Sequence, residues 1–407
     1  MADFLRLQAY RDLNELAELR PSWDELLSEY PLSSTFSTWE WLASWWEAFG
    51  KNQRLLVLAA FDPASRLIGL APLSISLQPF GRFLLLRVLR LMGDGSGDSD
   101  NLDLPVRPGF ENDFAEAIAR YLQQQKHEWD VCHLNTTPPN SPVACCLTAF
   151  LKASGWIVCE YSRICSAIPL PETWEEYLRR ISNEDQKNLT RYTRRLGKRY
   201  RVRIYRIRSE KELPACLERL FTLHQGRWQN EGQPGTFSSM DRREFYFRLS
   251  QRLLTRDWLE LWVLELDDQV VAVQFALRYK EQVFQLQEGY DHRLSSDRAG
   301  YVLRGEVIKR LISEKVRVYD FLGGEDAYKA RWGAQVGTYR DLQFARPLSL
   351  GGVILAGTAR AVRVKAWLRR KLPHSAWGVL NRINKAIHGK REPDSPISSG
   401  DRSSHKE

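Results

Sequence analysis

Residues 282–333, QVFQLQEGYDHRLSSDRAGYVLRGEVIKRLISEKVRVYDFLGGEDAYKARWG, read as a strand, a loop, a helix and a second strand. QVFQLQEGYD is the first strand and HRLSSDRAG, full of turn formers, the loop. Leu303, Val307 and Leu311 recur at helical spacing, and VRVYDFLGG closes the set. Earlier in the chain the same order occurs: a strand at about 83–92, the loop GDGSGDSDNLD, a helix at about 111–126 and the strand WDVCHLN. A further helix at about 141–154 and a strand beginning at Trp156 follow.

Each set is preceded by a hairpin. RLLVLAAF and LIGLAPLSISL flank residues 62–65, and WLELWVLEL and VVAVQFALRY flank Asp267, Asp268 and Gln269. Each hairpin is preceded by a helix. In FSTWEWLASWWEAFG (36–50), Ser37 and Glu40 form a capping box, Phe36 and Trp41 a hydrophobic staple, and Gly50 stands where a C′ glycine ends a helix. Trp41, Trp45 and Phe49 share one face. Ser209 and Glu212 make a second capping box before a helix with Leu213, Leu217, Leu220, His224 and Trp228 on one side. Residues 3–12 read as a first helical pattern. The expectation is an α/β fold of two similar units in tandem, mixed sheets flanked by helices, over residues 1–168 and 169–346. A basic helical extension follows at 347–391 and a disordered tail at 392–407.

At 407 residues, 43% hydrophobic and 27% charged, the chain excludes fibrous, collagenous and wholly disordered classes. No apolar run approaches the ~18 residues that span a bilayer, and the N-terminus has no signal-peptide core, so a cytoplasmic protein is expected. Six scattered cysteines without C-x-x-C spacing read as reduced core residues. Seven scattered histidines give no metal spacing, and the loop carrying Asp94, Asp98, Asp100 and Asp103 lacks the register of a calcium loop, so no metal is expected. That loop reads as solvated or as a substrate rim.

The net charge of +9 is local. Residues 186–209 carry ten Lys/Arg and no acid, residues 342–391 eleven more and no acid; without those 21 cations the rest of the chain stands at −12. Anionic partners are expected at both segments. For residues 349–391, where Val362, Val364, Trp367 and Leu368 alternate with cations, one reading is a helix lying on an anionic membrane surface and the other a helix packed across the second domain with its charges in water.

The order hairpin, strand, loop, helix, strand resembles the acyl-CoA-dependent Gcn5-related N-acetyltransferase (GNAT) core. FSTWEWLASWWEAFG, LAPLSIS, SDNLDL, LFTLHQGRW, and EGYDHRLSSDRAGYVLRGEVI with YDFLGGEDAYKARWG resemble more narrowly the BioF2-like/CelD branch, which is related to the Fem peptidyl transferases. The resemblance spans about residues 30–340. It implies two tandem GNAT-like domains and an acyltransferase that moves an acetyl or similar group from acyl-CoA to an amine or hydroxyl of a sugar-containing acceptor, in exopolysaccharide or cellulose-type synthesis. The alternatives are Fem-like transfer from aminoacyl-tRNA, a nucleic-acid partner for the 186–209 run, and a catalytically silent scaffold at the inner membrane.

Candidate site residues follow. Amides at the start of the helix near residue 299 suit a pyrophosphate. Ser296, Arg298, Ala299, Gly300, Tyr301 and Leu303 are therefore the candidates for donor binding, with one glycine where the superfamily's R/Q-x-x-G-x-G/A has two. A plain helix capped by Ser296 or Asp297 explains the same residues. Asp320, Tyr328 and Lys329 lie at and beyond the C-terminal end of a strand, where ligands bind in open α/β sheets. Tyr328 is a candidate to protonate a leaving thiolate, and Glu288 is the preferred base on the condition that the fold buries it, with Asp320 behind it. His224, Arg227 and Trp228, together with Trp41 and Asp100, are the candidates for substrate contact.

Overall fold

The computed structural model describes residues 5–81, 83–230 and 235–371. Its spine is one mixed sheet of twelve strands. These are β1 (Arg6–Tyr10), β2 (Gln53–Phe61), β3 (Leu67–Phe80), β4 (Leu84–Leu91), β5 (Val131–Thr137), β6 (Ile157–Pro169), β7 (Val202–Arg206), β8 (Leu259–Leu266), β9 (Gln269–Tyr279), β10 (Gln282–Tyr290), β11 (Val318–Gly323) and β12 (Gln335–Ala345).

Across the sheet they run β1-β2-β3-β4-β5-β12-β6-β11-β10-β9-β8-β7. Exchanging β1–β6 with β7–β12 and reading from the other end gives the same order. The chain is therefore two six-stranded halves related by a topological two-fold, and its axis falls at the antiparallel β6–β12 pair. Each half lends its last strand to the other: β6 lies between β11 and β12, and β12 between β5 and β6. The two expected sheets are thus one, and the expected boundary at 168/169 falls at the end of a strand already embedded in the second half.

Both hairpins form as the sequence suggests, β2 with β3 and β8 with β9. Asp267 and Asp268 both adopt positive φ, the backbone of a two-residue type I′ turn. The N-terminal segment departs from expectation: Arg6–Tyr10 is an edge strand on β2, because its alternating residues pair with a ready edge. The caps also shift. Thr38, not Ser37, caps the helix Trp39–Phe49 by accepting from the Trp41 amide. Glu40 turns inward to Arg20 and Arg256 instead, and Gly50 ends the helix in a right-handed conformation. Ser209 caps nothing; a 3-10 turn, Glu210–Glu212, leads into the helix Leu213–Asn230.

The halves are also fastened outside the sheet. Helix Trp39–Phe49 packs on Met240–Thr255, with the Phe245 ring edge-on to Trp41 at 5.1 Å. Arg252 pairs with Glu47 at 2.7 Å, Arg256 with Asp24 at 2.5 Å, and Lys280 donates to the Ser33 hydroxyl at 2.6 Å. Among the described residues no helix is long and apolar enough to cross a membrane.

Candidate active site

Two parallel pairs interrupt the antiparallel sheet, β4 with β5 and β10 with β11, and each ladder lasts only three residues before the strands part. Parting parallel strands open a cleft at their C-terminal ends. In the second half the last pair before the cleft is Phe284 with Asp320; in the first it is Arg90 with His133. Pairing to the shared strands agrees, since Asp320 faces Ala167 of β6 as His133 faces Gln343 of β12.

Beyond Asp320 the β11 register shifts, and Leu322 takes a positive φ. The Asp320 carboxylate accepts from the Leu322 amide at 2.7 Å, and the Asp100 carboxylate from the Gly323 amide at 2.8 Å. Lys329, from the short helix Ala327–Arg331, donates to the Gly323 and Gly324 carbonyls at 2.7 and 3.0 Å. Loop, strand and helix thus bring Asp320, Asp100 and Lys329 together, three candidates far apart in sequence. Burial pushes Asp320 up to about 7, and the neighbouring Asp100 charge adds to the shift. Burial likewise raises Asp100 to about 6 and lowers Lys329. A carboxylate near neutrality is suited to accept a proton at physiological pH. Cys165, raised to about 11 by burial, and Tyr339 close the cluster, and Asn101 donates to the Tyr339 hydroxyl.

Glu288, the expected base, lies in an ion pair. Its carboxylate meets the buried Arg304 guanidinium at 2.5 Å, so it is already neutralised by a cation. Arg304 in turn lies 5.2–5.6 Å from the ring centres of Phe321, Tyr328 and Trp332. Glu288 is therefore held in an ion pair, while Asp320 lies at the mouth of the cleft with no cation paired to its carboxylate among the described residues. Tyr328 is exposed at the rim.

The helix Ala299–Ser313 starts beneath the same cleft. Its N-cap is Arg298, in the left-handed conformation at φ 56°, with no side-chain cap and no acid in the first turn. Ser296 and Asp297 do not cap it. Ser296 and Arg298 are exposed, while Asp297 is buried and binds Arg199 at 2.5 Å, Arg195 at 3.3 Å and the Tyr200 hydroxyl at 3.1 Å. Residues 299 and 300 are buried; a Cβ on Gly300 would lie 3.2 Å from Glu288 Oε1. The Tyr301 ring packs on Trp332, and Leu303 is a core residue, closed off from any ligand. An uncapped, acid-free helix start with an exposed arginine fits a phosphate-bearing donor.

The remaining candidates separate. Trp41 is fully buried between Phe36 and Phe245, its indole donating to Ser99, and so belongs to the core. His224 is buried edge-on to Phe237, where its helix rides so close over β10 that a Cβ on Gly289 would come within 2.9 Å of the His224 backbone nitrogen. The side chains of Arg227 and Trp228 lie outside the described residues. The acidic loop is pinned rather than solvated: Asp94 binds Asn135, Asp98 binds Arg242 and Tyr246, and Asp103 binds Tyr30 and Ser141. Among the described residues no group of acidic, His or Cys side chains could hold a metal.

Sequence reasoning missed Arg304, Tyr339 and the Arg163–Asp341 pair at 2.9 Å. Arg304 alone left a signal, a cation among Val302, Leu303 and Val307 on an apolar helix. The basic run forms the helix Asn183–Arg199 and β7. One helix face opens on a groove of about 630 Å³ lined by Lys187, Arg191, Arg194, Arg195, Lys198 and Arg199 with no acid.

Residues 184–330 match the family profile described as an acetyltransferase (GNAT) domain. A search of curated proteins finds no significant match. Among solved structures, FemX superposes with a TM-score of 0.56 at 10% identity, over 82% of this chain and 96% of that one. A Bacteroides thetaiotaomicron protein of unknown function gives 0.51 at 13%, over 80% and 97%. A tandem GNAT protein from the clavulanic acid biosynthesis pathway gives 0.43 at 12%, over 84% and 98%. At such identities the likeness is one of fold. Residues 184–330 are thus similar to a GNAT-type acetyltransferase domain, and the chain as a whole shares the fold of FemX.

Proposed function

We propose that the protein transfers an acyl group from acyl-CoA, acetyl-CoA being the simplest donor, to an amine or hydroxyl of a sugar-containing acceptor. The observation that carries this reading is the pairing of Asp320, a carboxylate raised to about 7, with an uncapped helix start beneath the same cleft. The donor's thioester supplies the activated acyl group. Ser296, Arg298 and the amides of residues 299–301 hold its phosphates. Asp320 takes the proton from the attacking acceptor, Asp100 holds the β11 bulge and keeps Asp320 raised, and Lys329 fixes the carbonyls that shape the bulge. Tyr328, at the rim, is the group to protonate the leaving thiolate. Direct attack needs no covalent enzyme intermediate. Within this reading the chain is a BioF2-like/CelD enzyme of exopolysaccharide or cellulose-type synthesis, working in the cytoplasm as a first unit over 1–168 and a second over 169–346.

The basic groove favours a second donor, an aminoacyl-tRNA, whose backbone the four cations not paired with Asp297, Lys187, Arg191, Arg194 and Lys198, would neutralise. A thermal-shift series against acetyl-CoA, longer acyl-CoAs and aminoacyl-tRNA decides between them. A donor at 100 times its Kd adds about 2.7 kcal/mol of apparent stability. A rise with acyl-CoA alone supports the first reading and a rise with tRNA alone the second; no rise with any donor overturns both.

A further inference from the structure

Ten of the fourteen exposed large apolar side chains among the described residues fall in two segments, the β3–β4 hairpin and residues 348–367. Phe83, at the hairpin turn, is 98% exposed, and Leu348 is 99% exposed. The segments are neighbours in space. Leu84 and Leu86 of β4 share one apolar cluster with Ile354 and Leu355 of the helix Leu350–Lys371. Gly351 seats the start of that helix directly on the Asp130 carbonyl, and Asp130 itself pairs with Arg87 of β4 at 2.6 Å.

Among the described side chains of the helix, the last one buried against the body is Ala359. From Arg360 to Val364 every residue is exposed, so both its apolar and its cationic sides face outward. Arg360 and Arg363 form no ion pair among the described residues, and the helix sequence carries six cations and no acid. Trp367 is 59% exposed one turn further on. A helix that a folded body has not covered, with aliphatic and aromatic side chains interleaved with unpaired cations, matches an interface in which apolar groups insert and cations meet anionic headgroups. A nucleic acid would use the cations but leave Phe83, Leu85 and Val353 in water.

We propose that the β3–β4 hairpin tip and the helix Leu350–Lys371 form one docking surface for an anionic phospholipid bilayer. The surface lies on the first half, away from the cleft of β10 and β11, and stands independently of the acyltransferase reading.

The test is co-sedimentation of the full-length protein with vesicles of phosphatidylcholine alone or with about 30% phosphatidylglycerol, at low and physiological salt. Parent protein binds the anionic vesicles at least about tenfold more tightly than the neutral ones, and salt weakens binding. Phe83→Glu with Leu85→Glu, and separately Arg360→Glu with Arg363→Glu, each weaken it about tenfold or more while leaving the melting temperature unchanged, since all four side chains are exposed. Parent protein remaining in the supernatant at low salt, or variants sedimenting like the parent, overturns the proposal. Donor-induced thermal shifts in solution are unaffected either way, so failure here is distinguishable from failure of the proposed activity.

Discussion

The two halves share a topology strand for strand but differ wherever chemistry would occur. At the mouth of its cleft the first half places Arg90 and His133, and the second Phe284 and Asp320. Burial holds His133 down to about 4, with Arg90 adding to the shift, so it stays neutral at physiological pH. The helix after the first cleft, Glu111–Gln124, opens with Glu111 and Asp113; its counterpart Ala299–Ser313 opens with no acid. A negative first turn repels the phosphates that a helix dipole otherwise attracts. Under the proposed function the second half therefore presents the base and the anion site. The first contributes Asp100, which accepts from the Gly323 amide, and β6, which pairs with β11.

The largest expected effect tests that division. Asp320→Asn lowers turnover by about 10²- to 10⁴-fold, while His133→Asn at the equivalent position leaves it nearly unchanged; steady-state assays of both variants compare them directly. Parent activity rises with pH through about 7 as Asp320 ionises. Comparable losses in the two variants would mean that both halves are catalytic.

Next in size is the ion pair beneath the cleft. Glu288→Gln leaves the buried Arg304 uncompensated and lowers stability by about 3–5 kcal/mol in denaturant unfolding. Asp94→Asn, which loosens the 3.8 Å contact with Arg90 in the first half, costs less. Gly300→Asp is no clean probe of donor binding, because its carboxylate would be forced against Glu288.

A third effect is read from stability against pH. Asp320, and to a smaller extent Asp100, bind protons more tightly folded than unfolded, so between about pH 4 and 7 the native state holds the excess protons and stability falls as pH rises. Asp320→Asn removes most of that slope, leaving the variant more stable than the parent at pH 8 by on the order of 2–4 kcal/mol, as melting at pH 5 and pH 8 would show. An unchanged slope would place the excess protons elsewhere.

The smallest effect concerns the helix start. Arg298 sits at φ 56°, so Arg298→Gly relieves left-handed strain and stabilises by about 0.5–1 kcal/mol while weakening acyl-CoA in calorimetry. Glu111→Ala at the matching helix in the first half leaves donor affinity unchanged. Tighter donor binding by that variant would assign a second anion site to the first half.

Element types and their repetition were legible in the sequence, because hairpin turns at Asp267 and Asp268 and the apolar spacing of Leu303, Val307 and Leu311 act over a few residues. Asp320, Lys329 and Asp100 were individually visible as polar residues in loops or at strand ends. Their union was not, since the bulge that joins them depends on hydrogen bonds from Gly323 to a loop more than two hundred residues earlier. The helix starts were misread by a residue or two where Glu40 and Asp297 found distant arginines and left the local caps to Thr38 and Arg298.

By itself the sequence determined an α/β chain built twice over, its two basic segments and the candidate residues of the second half, all set by local periodicity and composition. Only the tertiary structure decided that β6 and β12 cross between the halves to make one sheet, that Glu288 is bound to Arg304, and that Asp320 is buried beside Asp100 at the mouth of the cleft. Strand order and the pKa of a buried carboxylate depend on which distant groups the folded chain brings within a few ångströms, and no spacing along the chain records that.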